Sequence, residues 1–283
     1  LRAIFFLTFN RPQVIFGMGG YASFPICIAA TLLKIKFIIY ENNLVIGKAN
    51  KYLLPFANKI LVSYNELEGV PKKHNNKIIK KENIIKKEIL NNKLKNSSSS
   101  NIEKINILVL GGSQAAKIFA ETLPSIFYEC CKKGIQIRVF QHCLPSQNES
   151  LKLFYENRNI EYEIFNFSNN LEEYFSKTQL AIARAGSSML AELTNANIPF
   201  ISVPLPSSAE DHQLKNAIYY KKKDFGFLIE EKDLNSDLLD FIQQINKNRS
   251  ILSRIIQNQS QYSDKNVYNN IDLILEKIIN EKN

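Results

Sequence analysis

The chain is poor in the residues that build metal centres and disulfide frameworks. It has four cysteines and three histidines in 283 residues, and no tryptophan. Cys27, Cys130, Cys131 and Cys143 stand at spacings that suit neither a zinc site nor a set of disulfides. Adjacent Cys130 and Cys131 are expected to pack on a helix as small apolar residues, and the thiols suit a reducing cytoplasm. No Asp, His or Cys set stands at ligand spacing, so neither a metal nor another cofactor is expected. Also missing is an apolar run long enough to cross a bilayer. The stretch from Leu1 to Phe9 is apolar but short and has no cleavage-site pattern. Solenoid-type repeats are absent. The net charge of +9 comes with Lys, Asn and Ile spread everywhere. No zinc finger, helix-turn-helix or aromatic RNA-binding signature accompanies it, so nucleic acid is not expected as a partner.

What is present is an ordinary globular composition, 45% hydrophobic and 22% charged, on a chain long enough for one large or two ordinary domains. Short β-branched runs alternate with helical patterns. Strands are expected at 14–16, 37–40 and 60–62, and again at 105–110, 135–140, 162–165, 180–183 and 200–203. Helices are expected near 25–33, 48–54, 116–131, 171–175, 189–195 and 213–222, with polar helix after Asp233. Strands separated by helices imply parallel sheets with right-handed crossovers. Between the two series, Lys72 to Asn101 is rich in Lys and Asn and ends in four serines, the kind of composition shift that separates domains. The reading is two α/β domains joined near 95–102. The first shows about three strands where a doubly wound domain has five or six, and the chain has no initiator methionine. We therefore expect that domain to be truncated.

Polar loops follow several of the strands, and ligands bind beyond the carboxyl ends of strands in open parallel sheets. Leu110-Gly111-Gly112-Ser113-Gln114 either brings backbone amides to phosphate oxygens or is a tight turn with Ser113 as helix cap. The run Ala183-Arg184-Ala185-Gly186-Ser187-Ser188 leaves a strand and opens a helix that carries Glu192. Capping by Ser187 or Ser188, with Glu192 serving the helix dipole, explains those residues but not Arg184. An anionic ligand in the crevice explains all of them, with Glu192 accepting from ribose hydroxyls. Pro204-Leu205-Pro206, Glu210-Asp211-His212-Gln213 and Asn216 follow the next strand. Gly17-Met18-Gly19-Gly20-Tyr21-Ala22-Ser23 and Tyr40-Glu41-Asn42-Asn43 give the first domain a polar edge of its own.

Taken in order, GGYASFP (19–25), YENN with IGKANK (40–51), LGGSQAA (110–116), RAGSSMLAEL (184–193) and VPLPSSAEDHQLKNA (203–217) resemble the MurG family of peptidoglycan N-acetylglucosaminyltransferases. The resemblance covers nearly the whole chain. It implies an α/β chain of two Rossmann-like doubly wound domains facing a cleft, the GT-B fold. Residues 1–98 would form the acceptor domain, 99–265 the UDP-N-acetylglucosamine (UDP-GlcNAc) domain, and 266–283 a helix returning to the first domain. It also implies transfer of GlcNAc, with inversion, from UDP-GlcNAc to the muramoyl 4-hydroxyl of lipid I, giving lipid II. The enzyme would sit peripherally on the cytoplasmic face of the inner membrane. Carried over by position, Ser113 would hold the diphosphate or nearby sugar, and Ser168 would lie beside the uracil. Arg184 would face the nucleotide diphosphate. Ser187, Ser188, Met189, Leu190, Ala191 and Glu192 would hold UDP. His212 and Gln213 would contact the sugar, Asn43 would sit between donor and acceptor, and Gly19, Gly20 and Tyr21 would meet the acceptor.

The chain departs from the family pattern in places. The amino-terminal glycine-rich loop with the histidine proposed as general base is absent, and Glu41 is the candidate substitute. The family's His-Glu-Gln-Asn reads Tyr40-Glu41-Asn42-Asn43. The glycine after GGSQ is Ala115, which disfavours a left-handed backbone. The family's Gly-Asn-Pro-Val-Arg reads Glu82-Asn83-Ile84-Ile85-Lys86, where Lys86 keeps the charge but not a bidentate grip. Two alternatives stay open: a non-catalytic UDP-sugar-binding fragment, and an enzyme like the UDP-GlcNAc 2-epimerases. Lys72, Lys73, Lys77, Lys80, Lys81, Lys86 and Lys87 form either a membrane-binding patch or a solvated lysine-rich segment.

Overall fold

The computed structural model describes residues 1–64, 66–91, 104–112, 117–168 and 170–281. The chain divides into two compact units, Leu1–Ile84 with Asp264–Asn283, and Ile85–Ser263.

The first unit runs α1 (Arg2–Phe9), β1 (Val14–Gly17), α2 (Gly20–Leu32), β2 (Lys36–Glu41), α3 (Lys48–Leu53), β3 (Lys59–Val62) and β4 (Ile78–Lys80). Its sheet is parallel throughout, in the order β1-β2-β3-β4. β2 is buried along Phe37 to Glu41 because it lies inside that sheet, covered on both faces. β4 lies in the lysine-rich segment, and the sequence reading passed it over. Ile78 and Ile79 are flanked by Lys77, Lys80 and Lys81, and charged flanks are how an edge strand resists further pairing.

The second unit begins with α4 (Lys87–Asn91) and β5 (Ile105–Leu110), then α5 (Lys117–Lys132), β6 (Ile137–His142), α6 (Asn148–Glu156), β7 (Glu161–Phe165) and α7 (Leu171–Phe175). It continues with β8 (Leu180–Arg184), α8 (Ser187–Asn195), β9 (Phe200–Val203), α9 (His212–Lys222), β10 (Phe227–Leu228), α10 (Leu234–Lys247) and α11 (Ser250–Ser260). Its six strands are parallel in the order β10-β9-β8-β5-β6-β7. The central strands β5 and β8 are almost wholly apolar and buried. On α10, Leu234, Leu238, Ile242 and Ile245 form one buried stripe, the spacing that keeps side chains on one helix face, and the helix packs on α5. Each such Leu or Ile stabilises the fold by roughly 1.5–3 kcal/mol.

The unit boundary falls at 84/85, inside the Lys72–Asn101 composition shift and ahead of the domain boundary expected at 98/99. Ile85, Ile89 and Leu90 are buried, and α4 packs against α8. The lysine-rich stretch therefore anchors in the second core before the chain reaches residue 92. At the other end, α12 (Val267–Asn280) lies within the first unit and packs near β1. Lys36 Nζ donates to the carbonyls of Ile278, at 2.9 Å, and Glu281, closing the carboxyl end of α12. In the same unit, Asn83 N donates to Asp264 Oδ1 at 2.9 Å and Ile84 N to Tyr40 Oη at 3.0 Å. Residues on either side of the long excursion are thus tied to one sheet.

Candidate active site

In the second unit the chain steps outward from β5 through β6 to β7, then returns to the other side for β8, β9 and β10. Between β5 and β8 the crossovers diverge, which opens a crevice at their carboxyl ends. Leu110 pairs with Ala183 there. The loop after β5 opens with Gly111 and with Gly112 at φ +72°, a conformation that favours glycine. The loop after β8 leads through Ala185 to Gly186. A methyl group added at Gly112 or Gly186 would meet nothing within 4 Å, so both turns border open space. Ser113 lies outside the described residues, as does Ala115.

α8 starts at Ser187 with Gly186 as its N-cap. The helix therefore begins on glycine, and the capping role expected of Ser187 or Ser188 falls to the residue before them. The first amides of a helix carry its positive dipole end and favour an anion. Leu190 N is already committed to Gly186 O at 3.1 Å, and the side chains of Leu190 and Ala191 are fully buried. Their side chains belong to the core, which leaves only their backbone for any ligand contact. The amides of the Ser187–Met189 turn precede that first intrahelical bond, and Glu192 follows within the helix. Asn216, wholly buried on α9, donates to Ala185 O at 3.2 Å and braces the loop from below.

Glu192 is partly buried, and that burial pushes its carboxyl up to about 7, with Lys86 pulling it down and Glu172 pushing it further up. Lys86, exposed just before α4, and Glu192 thus belong to one electrostatic cluster. Ser168 Oγ accepts from Asn170 N at 3.1 Å in the loop after β7, beside Phe167, whose ring is 79% exposed.

Arg184 has partners within the chain. It forms an ion pair with Glu231, donates to the carbonyls of Val203 and Pro204 at 3.3 and 3.2 Å, and lies 5.0 Å over the Phe119 ring. A carboxylate within the chain already neutralises it. His212 Nδ1 donates to Ala209 O at 2.8 Å, and Gln213 Oε1 accepts from Leu205 N at 3.0 Å. Glu210 and Asp211 before them both have φ near +54°, a tight left-handed turn leading into α9.

In the first unit, Glu41 is held from within the chain. It is 4% exposed, and its two oxygens accept four hydrogen bonds. Oε1 takes Asn43 N at 3.1 Å and Asn43 Nδ2 at 3.0 Å; Oε2 takes Gly47 N at 2.8 Å and Asn50 Nδ2 at 3.0 Å. With its acceptor sites filled from within, it shapes the 41–50 loop. Asn43 is held by that carboxylate and donates to Asn42 Oδ1 at 3.1 Å. Gly19 and Gly20 have φ +77° and +72° and lead into α2, and Tyr21 is 88% exposed. A side chain at Gly19 would press on Asn50 Nδ2 at 3.3 Å and Tyr40 O at 3.4 Å, so glycine lets this loop lie against the Glu41 cluster.

The sequence reading missed Asn50, Glu172 and Glu231. Asn50 stood inside a quoted motif, but its partner Glu41 is at no periodic spacing from it. Glu231 follows an edge strand only two residues long and carries no local signal. Lys77 of the basic cluster is spent internally: Nζ donates to Leu54, Pro55 and Ala57 carbonyls at 3.1, 2.8 and 2.7 Å, capping the end of α3. Among the described residues, no cluster of His, Cys, Asp and Glu is grouped to hold a metal ion.

Two parallel-sheet α/β units with glycine-lined strand ends define a GT-B glycosyltransferase. The family models for the glycosyltransferase family 28 C-terminal and N-terminal domains match residues 106–271 and 1–62. Within that class the chain belongs to the MurG family. A Pelagibacter ubique relative, named UDP-N-acetylglucosamine–N-acetylmuramyl-(pentapeptide) pyrophosphoryl-undecaprenol N-acetylglucosamine transferase, is 34% identical, covering 99% of this chain and 78% of its own. A Rickettsia felis protein of the same name is 33% identical over 91% of this chain and 74% of its own. The crystal structure of Acinetobacter baumannii MurG superposes with a TM-score of 0.78 at 23% identity, covering 97% of this chain and 77% of that one, and agrees in fold.

Proposed function

We propose that this chain transfers N-acetylglucosamine from UDP-GlcNAc to the muramoyl 4-hydroxyl of an undecaprenyl-diphosphate-linked acceptor, the reaction for which its relatives are named. The crevice between the ends of β5 and β8 carries the proposal, since two open glycine turns and the start of α8 converge there beside Glu192. The diphosphate of the donor sits against the Gly111–Gly112 and Gly186–Met189 backbone, and the ribose against Glu192. As the bond to the sugar breaks, negative charge grows on UDP. Fixed amide donors and the α8 dipole stabilise that charge without reorganising, and a favourably placed helix end contributes about 0.3–2 kcal/mol. His212 and Gln213 read the sugar. In the first unit, Gly19, Gly20, Tyr21 and Asn43 receive the acceptor, on a loop that Glu41 holds in shape. The test is incubation of the purified chain with labelled UDP-GlcNAc and a lipid I analogue. Labelled product appearing one-for-one with UDP supports the reading. Folded protein that binds UDP-GlcNAc and yields no product in the presence of acceptor rejects it.

A lipid-linked acceptor also supports a peripheral position on the cytoplasmic face of the inner membrane. No helix among the described residues is long and apolar enough to cross a membrane. α1 exposes Phe5, Phe6 and Phe9, side chains suited to the acyl–headgroup boundary. Sedimentation with anionic vesicles is expected, and its absence would remove this part of the proposal.

A further inference from the structure

We propose that Arg184 is a positioning residue for the sugar end of the donor site: anchored by Glu231, it fixes the Pro204–Leu205 peptide and, through it, the carboxamide of Gln213. The inference rests on the donor reading given above.

The Arg184 side chain is 11% exposed and Glu231 25% exposed, and they pair through Nη2. Turning Arg184 toward a bound diphosphate would leave a partly buried carboxylate without its cation, a costly exchange. The guanidinium is planar and rests on the Phe119 ring, which fixes the direction of its other donors. Those reach Val203 O at 3.3 Å and Pro204 O at 3.2 Å, just past the end of β9.

The Pro204 carbonyl belongs to the same peptide group as Leu205 N–H. That N–H donates to Gln213 Oε1 at 3.0 Å. A peptide group is planar, so a grip on its oxygen sets the direction of its N–H. Arg184 and Gln213 therefore hold opposite sides of one rigid plate. With Oε1 committed, the Gln213 NH2 is the end of the carboxamide that can donate to a sugar oxygen. Ser208 closes the loop, its Oγ 3.4 Å from Gln213 N and its own N–H on Leu205 O at 3.0 Å. Loosening Arg184 lets the plate rotate and turns the carboxamide. Sugar recognition suffers, whereas the nucleotide cradle at Gly186–Met189 and Glu192 is untouched.

The experiment is calorimetry of wild type, Arg184→Met and Glu231→Gln with two probes, UDP and UDP-GlcNAc. For both variants, UDP-GlcNAc binding is expected to weaken about tenfold, the equivalent of one hydrogen bond, with UDP binding within about twofold of wild type. Arg184→Lys, which keeps charge but not the fork, is expected to fall between wild type and Arg184→Met. Equal loss of UDP and UDP-GlcNAc affinity in Arg184→Met would mean that the guanidinium touches the diphosphate, and would overturn the proposal. So would unchanged UDP-GlcNAc binding in Glu231→Gln. Should Arg184→Met not fold, Arg184→Lys and Glu231→Gln carry the same two-probe comparison. If wild type binds neither probe, the donor reading itself fails, an outcome separate from these.

Discussion

Glu192 offers the sharpest use of the site's electrostatics. Burial holds its carboxyl up to about 7 in the unliganded chain, with Lys86 pulling it down and Glu172 pushing it up. Ribose hydroxyls donate to a carboxylate, so the liganded state favours the ionised form. Below about 7 the protein must release a proton to bind. Affinity therefore rises with pH through that value and levels off above it. One unit below its pKa the acid outweighs the carboxylate about tenfold, so binding at pH 6 is expected to be about tenfold weaker than at pH 8. UDP-GlcNAc is the ligand to use, because its diphosphate is esterified at both ends and does not titrate in this range. Calorimetry at pH 7 in buffers of different ionisation enthalpy is expected to show about half a proton released per ligand bound. In Glu192→Gln the pH dependence should vanish. Equal wild-type affinity at pH 6 and 8, with no buffer dependence, would refute the reasoning. Stability of the unliganded chain runs the opposite way. A carboxyl whose pKa is higher folded than unfolded stabilises below about 4.5, and that stability drains away as pH rises to about 7, by up to about 3 kcal/mol. Unliganded Glu192→Gln should accordingly melt higher than wild type at pH 8.

Other substitutions separate structural from ligand-binding roles. Glu41→Gln leaves at least two donors facing an amide and is expected to destabilise the chain by about 3 kcal/mol; an unchanged melting temperature with reduced turnover would instead restore Glu41 as a base. Asn216→Ala removes the brace on Ala185 and should cost about 1–2 kcal/mol while weakening UDP binding, read by melting and calorimetry together. Gly226→Ala drives a methyl to 2.4 Å from the Phe200 ring. It should lower stability by about 1–3 kcal/mol with UDP affinity unchanged, and a loss of affinity at full stability would contradict this.

The alternation of β-branched runs with helical stretches made the fold legible, because parallel strands buried on both faces read as unbroken apolar segments. β5, β8 and β9 fall within a residue or so of where the sequence puts them. β4 and β10 escaped because edge strands are short and one is dressed in lysine. The site was legible as strand-end loops, since glycine and polar residues mark them locally. What each charge does there was not. Arg184 and Glu231 stand 47 positions apart, and Glu41 meets Asn50 across a loop; only folding brings those partners together. Both residues looked like ligand chemistry for the same reason: a charge at a strand end demands a partner, and sequence does not say whether the chain supplies one. Leu190 and Ala191 illustrate the converse, since a contiguous motif carries side chains that fold into the core.

Calorimetric titration of UDP-GlcNAc into the folded chain addresses the donor crevice most directly. A single site per chain, from which UDP displaces the sugar nucleotide, is the predicted outcome. A cooperatively melting protein that takes up neither ligand at millimolar concentration would contradict the placement of a nucleotide sugar between β5 and β8.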